Sequence, residues 1–419
     1  MKKRILNRLL CAVLAVSLAA LLAACGGKPG QESTPGSQEA QSTPEQKPSE
    51  TKNEPSEAEP VPEKLAEILD GEGKRLGAID AASACSAVNG GVFYSVVDMK
   101  EYALTGTARY RFFRAADGKD VLLGTLEEQS YETFYARTEL DGTVYTLATE
   151  GDPFDDRPDT LWLLAFDPSA ESMTKHEVSK YGFPYAAMAA ADGKLLIMNH
   201  EMSSPKSDKV YEFDPKTAAV REILSLPNDE TSSLRSIAAA ENGFYLLRLR
   251  LAGGLPEEML LERYDSAGGL QDSLSLNGMI VPAMKDLPGF EGEDDVLIEF
   301  GLHVGGFAVW DGRYLFYENF GRVRVVIDLS TGEALFADED LWNMAGGAPA
   351  FYELAFEPYG AGEGPRIVHL QDGKLQTLPF RPDDGSLMLR SASCSADGTW
   401  LIRTVSDAGD DKLFLWKAK

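Results

Sequence analysis

The sequence predicts an all-β chain made of repeated four-stranded units, and three observations carry that prediction. Short apolar runs alternate with turn residues throughout the body of the chain, and the runs are too short for helices. Turn glycines fall at 91, 142, 193 and 243, at intervals of 51, 51 and 50 residues with the same flanking pattern. The run after each such turn is uninterrupted, as in Leu195-Leu196-Ile197-Met198, the pattern of a strand covered on both faces. The clearest copy spans Tyr185 to Leu226. It turns at Asp192-Gly193 and runs through Leu195–Met198. It continues as Lys209-Val210-Tyr211-Glu212-Phe213, turns at Asp214-Pro215-Lys216-Thr217, and returns through Val220 to Leu226. Asp-Gly supplies the positive φ of a tight hairpin, and Asp-Pro starts a turn while breaking any helix.

Val61 to Leu69, with Leu65, Ile68 and Leu69, reads as one short amphipathic helix or cap. The first copy runs from Ser83 through Asn89-Gly90-Gly91 and Val92–Val97 to Val121-Leu122-Leu123. The second has Asp141-Gly142 and turns again at Asp167-Pro168; the fourth has Glu241-Asn242-Gly243 and turns at Asp265. Residues 277–301 interrupt the rhythm. A fifth copy resumes at Phe307 and turns at Asp328-Leu329-Ser330-Thr331-Gly332. A sixth, poorly written, runs from Phe351 to Phe380, and a seventh from Leu387 to Trp416. A repeat of this length with four strands per copy is that of a β-propeller, whose blades bury their faces against one another. The reading is seven blades, with six or eight as alternatives. The last copy is one strand short, and Arg75 to Ile79 is the segment expected to close it, pairing an otherwise open edge.

The N-terminus supplies an address. Lys2, Lys3, Arg4 and Arg8 precede an apolar run from Leu9 to Leu22, which ends in Leu22-Ala23-Ala24-Cys25-Gly26. The run is short for a bilayer span and has signal-peptide flanks. Leu-Ala-Ala-Cys resembles the lipobox of bacterial lipoproteins. That resemblance implies a signal peptide over 1–24, a Cys25 that is acylated and becomes the new N-terminus, and anchoring to the outer face of the cell membrane. Residues 25–60 then form a stalk. Beyond Cys25 they hold no aromatic and no aliphatic larger than Ala, so disorder is expected, with a reach on the order of 30–35 Å. Residues 61–419 form the propeller domain.

The formal charge is −26, and the leader removes four cations and no acid. Such a surface repels phosphate backbones, which excludes nucleic acid as a partner. The remaining partner expectation is an envelope protein or glycan. Cys85 and Cys394 sit in matching phrases, Ala84-Cys85-Ser86-Ala87 and Ser393-Cys394-Ser395-Ala396, in the first and last copies. A disulfide between them, allowed outside the cytosol, would constrain the unfolded chain by roughly 4–5 kcal/mol; two small buried residues filling repeat positions are the alternative. His176, His200, His303 and His369 are scattered over different copies without ligand spacing, so no metal site is expected. The acids of Asp152–Asp159 and Glu291–Asp295 lack the spacing of a calcium loop. No nucleophile elbow, P-loop or dinucleotide fingerprint occurs in a strand-turn-helix context, so no catalytic residue or cofactor is assigned. Tyr94, Tyr145, Tyr245, Tyr317 and Trp400 recur in the second strands and are read as packing between blades.

The body resembles lipoprotein β-propellers in the broad sense. The turns at Asp214–Thr217 and Asp328–Gly332 are similar to second-hairpin turns of quinoprotein-like propellers. The one Trp-Asp pair, Trp310-Asp311, precedes a first hairpin turn and departs from the WD40 pattern. The five tryptophans share no repeat position, so the quinone cofactor is not implied. These features point to a non-catalytic binding or scaffolding module; an envelope enzyme acting on glycans, with acids at the channel mouth, is the alternative.

Overall fold

The computed structural model describes residues 66–70, 75–79, 85–88, 91–97, 108–116, 119–128, 137–150, 159–182, 186–201, 206–285, 287, 290, 292–301, 304–319, 323–338, 342–353, 366–378, 380, 387–395, 397–406 and 411–417. The signal peptide, Cys25 and the stalk lie outside these residues, as do Asp152–Asp156, Glu291 and His303.

The chain is all-β and forms a seven-bladed propeller. Blade 1 is β3 (Cys85–Val88), β4 (Gly91–Val97), β5 (Ala108–Ala116) and β6 (Lys119–Glu128). Blade 2 is β7 (Arg137–Leu140), β8 (Thr143–Glu150), β9 (Thr160–Asp167) and β10 (Ser172–Ser179). Blade 3 is β11 (Ala187–Ala191), β12 (Lys194–Glu201), β13 (Ser207–Asp214) and β14 (Ala219–Pro227). Blade 4 is β15 (Ser232–Ala240), β16 (Gly243–Ala252), β17 (Leu255–Asp265) and β18 (Leu270–Ser275). Blade 5 is β19 (Val304–Trp310), β20 (Tyr314–Asn319), β21 (Arg324–Asp328) and β22 (Glu333–Asp338). Blade 6 is β23 (Trp342–Met344), β24 (Ala350–Glu353), β25 (Ile367–Gln371) and β26 (Lys374–Thr377). Each is an antiparallel meander with its first strand innermost. One face of the ring, here the upper face, carries the second-to-third connections and the links between blades; the lower face carries the tight hairpin turns.

Closure uses the N-terminus, but not as the sequence suggests. Blade 7 is a five-stranded sheet in the order β2-β1-β29-β28-β27, built from β27 (Leu387–Cys394), β28 (Thr399–Ser406) and β29 (Asp411–Lys417) with two N-terminal strands. The strand on β29 is β1 (Ala66–Asp70), where a helix or cap is expected from the sequence, and it runs parallel to β29. Arg75–Ile79 is β2, the outermost strand, antiparallel to β1. Topology dictates the parallel pairing. Because β2 feeds blade 1 from the upper face it must run upward, so β1 runs downward beside the downward β29.

The two kinds of turn glycine have different causes. Asp141-Gly142 and Asp192-Gly193 hold positive φ at both residues (52° and 80°, 51° and 72°), as a two-residue hairpin of this hand requires. Gly91 and Gly243 are instead the first residues of their second strands. A Cβ on Gly243 would lie 2.0 Å from the Tyr264 carbonyl oxygen, and one on Gly91 2.3 Å from that of Ala115. Gly243→Ala therefore displaces backbone and is expected to cost about 2–4 kcal/mol in denaturant unfolding. Gly142→Ala, which meets only φ strain in open space, should cost about 1 kcal/mol. Equal costs would refute the distinction.

The third-to-fourth turns are held by their aspartates. Asp167 Oδ1 accepts the Ser169 and Ala170 amides (2.7 and 3.1 Å), Asp214 Oδ1 that of Lys216 (2.9 Å), Asp265 Oδ1 that of Ala267 (2.9 Å) and Asp328 Oδ1 that of Ser330 (3.0 Å). The carboxylate thus takes an early turn amide, beside the backbone bonds from Thr217, Gly268 and Thr331 to the carbonyls of Asp214, Asp265 and Asp328.

The core lies between blades. Leu195 and Ile197 pack toward blade 2, whereas Leu196 and Met198 pack toward blade 4, so consecutive residues of one strand serve opposite interfaces. Tyr94, Tyr145, Tyr245, Tyr317 and Trp400 are all buried in these interfaces.

Residues 277–300 add α1 (Asn277–Met284) and α2 (Glu293–Phe300) between blades 4 and 5, on the upper face. Asn277 fastens the pair to β17, accepting the Met259 amide at 3.0 Å and donating to the Glu257 carbonyl at 2.9 Å. Glu293, Asp294 and Asp295 occupy the first turn of α2, where the helix dipole favours acids.

Candidate functional site

The second strands end on the upper face, and there the apolar runs give way to buried polar residues. In blade 3 the sequence is Asn199-His200-Glu201, and in blade 5 it is Glu318-Asn319, all under 9% exposed. Asn199 and Asn319 are each the sixth residue of their strand. Each donates its amide back to a carbonyl in the preceding inter-blade link, Asn199 to Tyr181 at 2.8 Å and Asn319 to Glu299. Neither was singled out from the sequence. Their equal distance from the hairpin turn was the available signal.

Glu201 and Asp208 make blade 3 a hub. Glu201 Oε1 accepts the Ser179 hydroxyl of blade 2 at 2.7 Å and the Tyr211 hydroxyl, and Oε2 lies 3.0 Å from Lys209 Nζ, which also reaches Glu222 at 3.0 Å. Burial pushes the Glu201 carboxyl up, but Tyr211, Ser179 and Lys209 together hold it below the usual range. Burial, then the Glu201 carboxylate, drives the Tyr211 hydroxyl well above its ordinary value. Asp208, fully buried, spends both oxygens: Oδ1 accepts from His200 Nδ1 and Asn228 Nδ2 at 2.6 Å each, and Oδ2 accepts the Leu234 amide of blade 4 at 2.6 Å.

Next to Leu234 stands Arg235, in the innermost strand of blade 4, where the register slips between Leu234 and Ser236. It is the extra residue of a β-bulge. The same slip recurs between Val304 and Gly306 in blade 5 and between Leu389 and Ser391 in blade 7. Gly305 and Arg390 are therefore the counterparts of Arg235. Burial lowers the pKa of Arg235, while Tyr317 of blade 5 and Asp208 of blade 3 act on it electrostatically in the opposite sense.

On the other side of blade 5, Glu318 accepts the Met344 amide from the innermost strand of blade 6. Burial pushes its carboxyl up to about 7, against the lowering effects of that amide and of Arg324. The folded state then retains a proton that the unfolded chain has released above the ordinary value of 4.5. Stability should fall as pH rises from about 4.5 through 7 and level off above, by roughly 3 kcal/mol in all. His176 and His369, whose pKa values burial lowers, act in the opposite sense. The difference between wild type and Glu318→Gln in pH-dependent denaturant unfolding therefore isolates the carboxyl, and parallel profiles would remove it.

No disulfide joins Cys85 and Cys394. The two are not repeat-equivalent, since Cys85 pairs with Tyr94, the fourth residue of β4, and Cys394 with Trp400, the second of β28. Cys85 packs between blades 1 and 7, and Cys394 packs on the blade 6 side of blade 7, so the sheet of blade 7 separates them. The contact at that seam is instead a 2.9 Å hydrogen bond from the Ala87 amide to Ser393 Oγ. His176 and His369 lie beside the rings of Phe213 and Trp400, apart from His200. Among the described residues, no group of three or more His, Cys, Asp or Glu is placed to hold a metal ion.

The upper face also carries the longest pair of consecutive strands among the described residues. The β16–β17 hairpin, with strands of 10 and 11 residues, turns at Gly253-Gly254 and leans on α1 and α2. Leu255 at its tip is 64% exposed and Ile298 on α2 is 41% exposed.

No protein-family model and no curated protein matches the chain. Among solved structures, the chain is similar to the β-propeller domain of the Trilobed protease from Pyrococcus furiosus (11% identity, TM-score 0.44, covering 80% of this chain and 96% of that one). It is also similar to the WD40 β-propeller domain of Doa1 (11% identity, TM-score 0.40, 78% and 89%). A third is a putative 6-phosphogluconolactonase from Bacteroides fragilis (12% identity, TM-score 0.40, 73% and 93%). At these identities and TM-scores, none of them bears on what this chain does.

Proposed function

We propose that the protein is a lipid-anchored, extracytoplasmic binding module. Cys25 holds it to the outer face of the cell membrane, residues 25–60 are its tether, and the upper face of the propeller receives an envelope protein or glycan. The anchor rests on the Leu22-Ala23-Ala24-Cys25 motif and the basic, apolar leader before it. The observation that carries the binding role is the raised rim of blade 4. Among the described residues, an extended hairpin and two helices rise on the upper face, backed by buried polar contacts that fix blades 2 to 5, and present Leu255 and Ile298 to solvent. A rigid ring with one elaborated face suits recognition, because preorganised surface loses little freedom on binding.

The test is cross-linking and capture of the anchored protein from its own cells, with Cys25→Ser and Leu255→Asp/Ile298→Asp variants as controls. A specific partner that disappears in both controls supports the reading. Envelope glycan retained and shortened by the purified protein would replace it with the enzyme alternative.

A further inference from the structure

We propose that Arg235 is the centre of a binding site for a small oxyanion, a carboxylate or phosphate group, at the upper mouth of the ring between blades 4 and 5. Its Nε is buried without a hydrogen-bond partner, and no acid forms an ion pair with it among the described residues. The two groups that act on it electrostatically are already committed. Asp208 is saturated by His200, Asn228 and the Leu234 amide, and the Tyr317 hydroxyl donates to the Phe300 carbonyl. A buried Nε without a partner carries a desolvation cost, and the planar fork of a guanidinium matches a carboxylate or phosphate edge. The backbone is also arranged for it. A bulge adds one residue to the innermost strand and re-aims its side chain, and such bulges gather beside functional sites. Asp208 holds the amide just before the bulge at 2.6 Å. The counterpart in blade 5 is Gly305, with no side chain, and in blade 7 the exposed Arg390. Of these three bulge positions, only blade 4 presents a partly buried cation whose Nε lacks a partner.

This inference rests on the reading that the upper face is the binding face. The experiment is thermal unfolding of the full-length protein in detergent with sodium phosphate, acetate or glucuronate against sodium chloride at matched ionic strength. A saturable rise in Tm of about 2–4 °C is expected with at least one oxyanion. Phosphate alone would mark a phosphate ligand, and acetate or glucuronate a carboxylate. Arg235→Gln should abolish the rise yet melt, without added oxyanion, no lower than wild type, while Arg390→Gln should keep it. No response in wild type, an unchanged response in Arg235→Gln, or an Arg235→Gln protein that melts far lower without oxyanion would each overturn the assignment. Loss of the captured partner with the oxyanion response intact would instead count only against the broader binding reading.

Discussion

A chain that begins at Ser83 should lose cooperative unfolding. It lacks β1 and β2, so β29 becomes an open edge in the blade that closes the ring. Four residue pairs between β1 and β29, Glu67 with Lys412 through Asp70 with Leu415, are removed. At about 1 kcal/mol per net hydrogen bond, the direct loss is on the order of 4 kcal/mol, a large part of the stability of an ordinary domain. The indirect loss is greater, because Leu413 and Leu415 bury themselves against blade 1 only while blade 7 stays in place. The expected readout is a broad, low transition by circular dichroism, and binding of a hydrophobic dye at temperatures where the full chain is native. A chain beginning at Lys74 keeps β2 yet lacks β1, and should fail in the same way, because β2 contacts β29 only through β1. If the Lys74 chain melts like the full protein, β2 can close the ring alone and the observed order is not the stabilising one.

That second truncation marks where the sequence stopped being readable. Blade count and strand order within blades follow from hydrophobic runs and turn residues, which are local, and Leu195–Met198 or Asp192-Gly193 announce themselves. Closure is not local. Ala66–Asp70 carries Ile68 and Leu69 in a pattern that serves a short helix as well as a strand, and its partner lies some 350 residues away in sequence. The helices after blade 4 escaped for a related reason. Asn277–Met284 contains Pro282 and interrupts a β rhythm, so it shows as a break and not as an element. Gly91 and Gly243 were grouped with Gly142 and Gly193, yet the pairing sets them one residue later, where Thr143 and Lys194 stand in blades 2 and 3. Close approach of a carbonyl, invisible in sequence, selects glycine there, not positive φ. The polar hub was hidden for another cause. Glu201 and Asp208 are ordinary acids in an acidic chain, and only the pairing of β12 with β13 places His200 opposite Asp208. The cysteines show the converse error. Matching phrases suggested equivalent positions, yet the pairing sets them two residues apart along the strand.

The second large effect is expected at Asp208. Its carboxylate joins a histidine, an asparagine and a backbone amide, and the amide belongs to the next blade. Asp208→Ala takes the carboxylate from the Leu234 amide and His200 Nδ1, and it removes an opposite charge that acts on Arg235. Each stranded polar group costs about 1–3 kcal/mol, and breaking a buried charged contact about 3–5 kcal/mol, so a loss of about 4 kcal/mol in denaturant unfolding is expected. His200→Ala should cost less, about 1–2 kcal/mol, since Asp208 keeps two donors and the vacated space opens toward the upper face. In the double variant the costs should fall short of additivity by about 1–3 kcal/mol, the signature of a shared network. Additive costs would mean that the histidine and the aspartate stabilise blades 3 and 4 independently. A small effect of Asp208→Ala would mean that water can replace the carboxylate, and that the blade 3–4 seam is wetter than its burial implies. The same pair of variants reports on Arg235. If the aspartate is the counter-charge the arginine depends on, Asp208→Ala is rescued in part by Arg235→Gln. If the arginine is held for an external oxyanion, Asp208→Ala tightens oxyanion binding, because a competing negative charge has been removed.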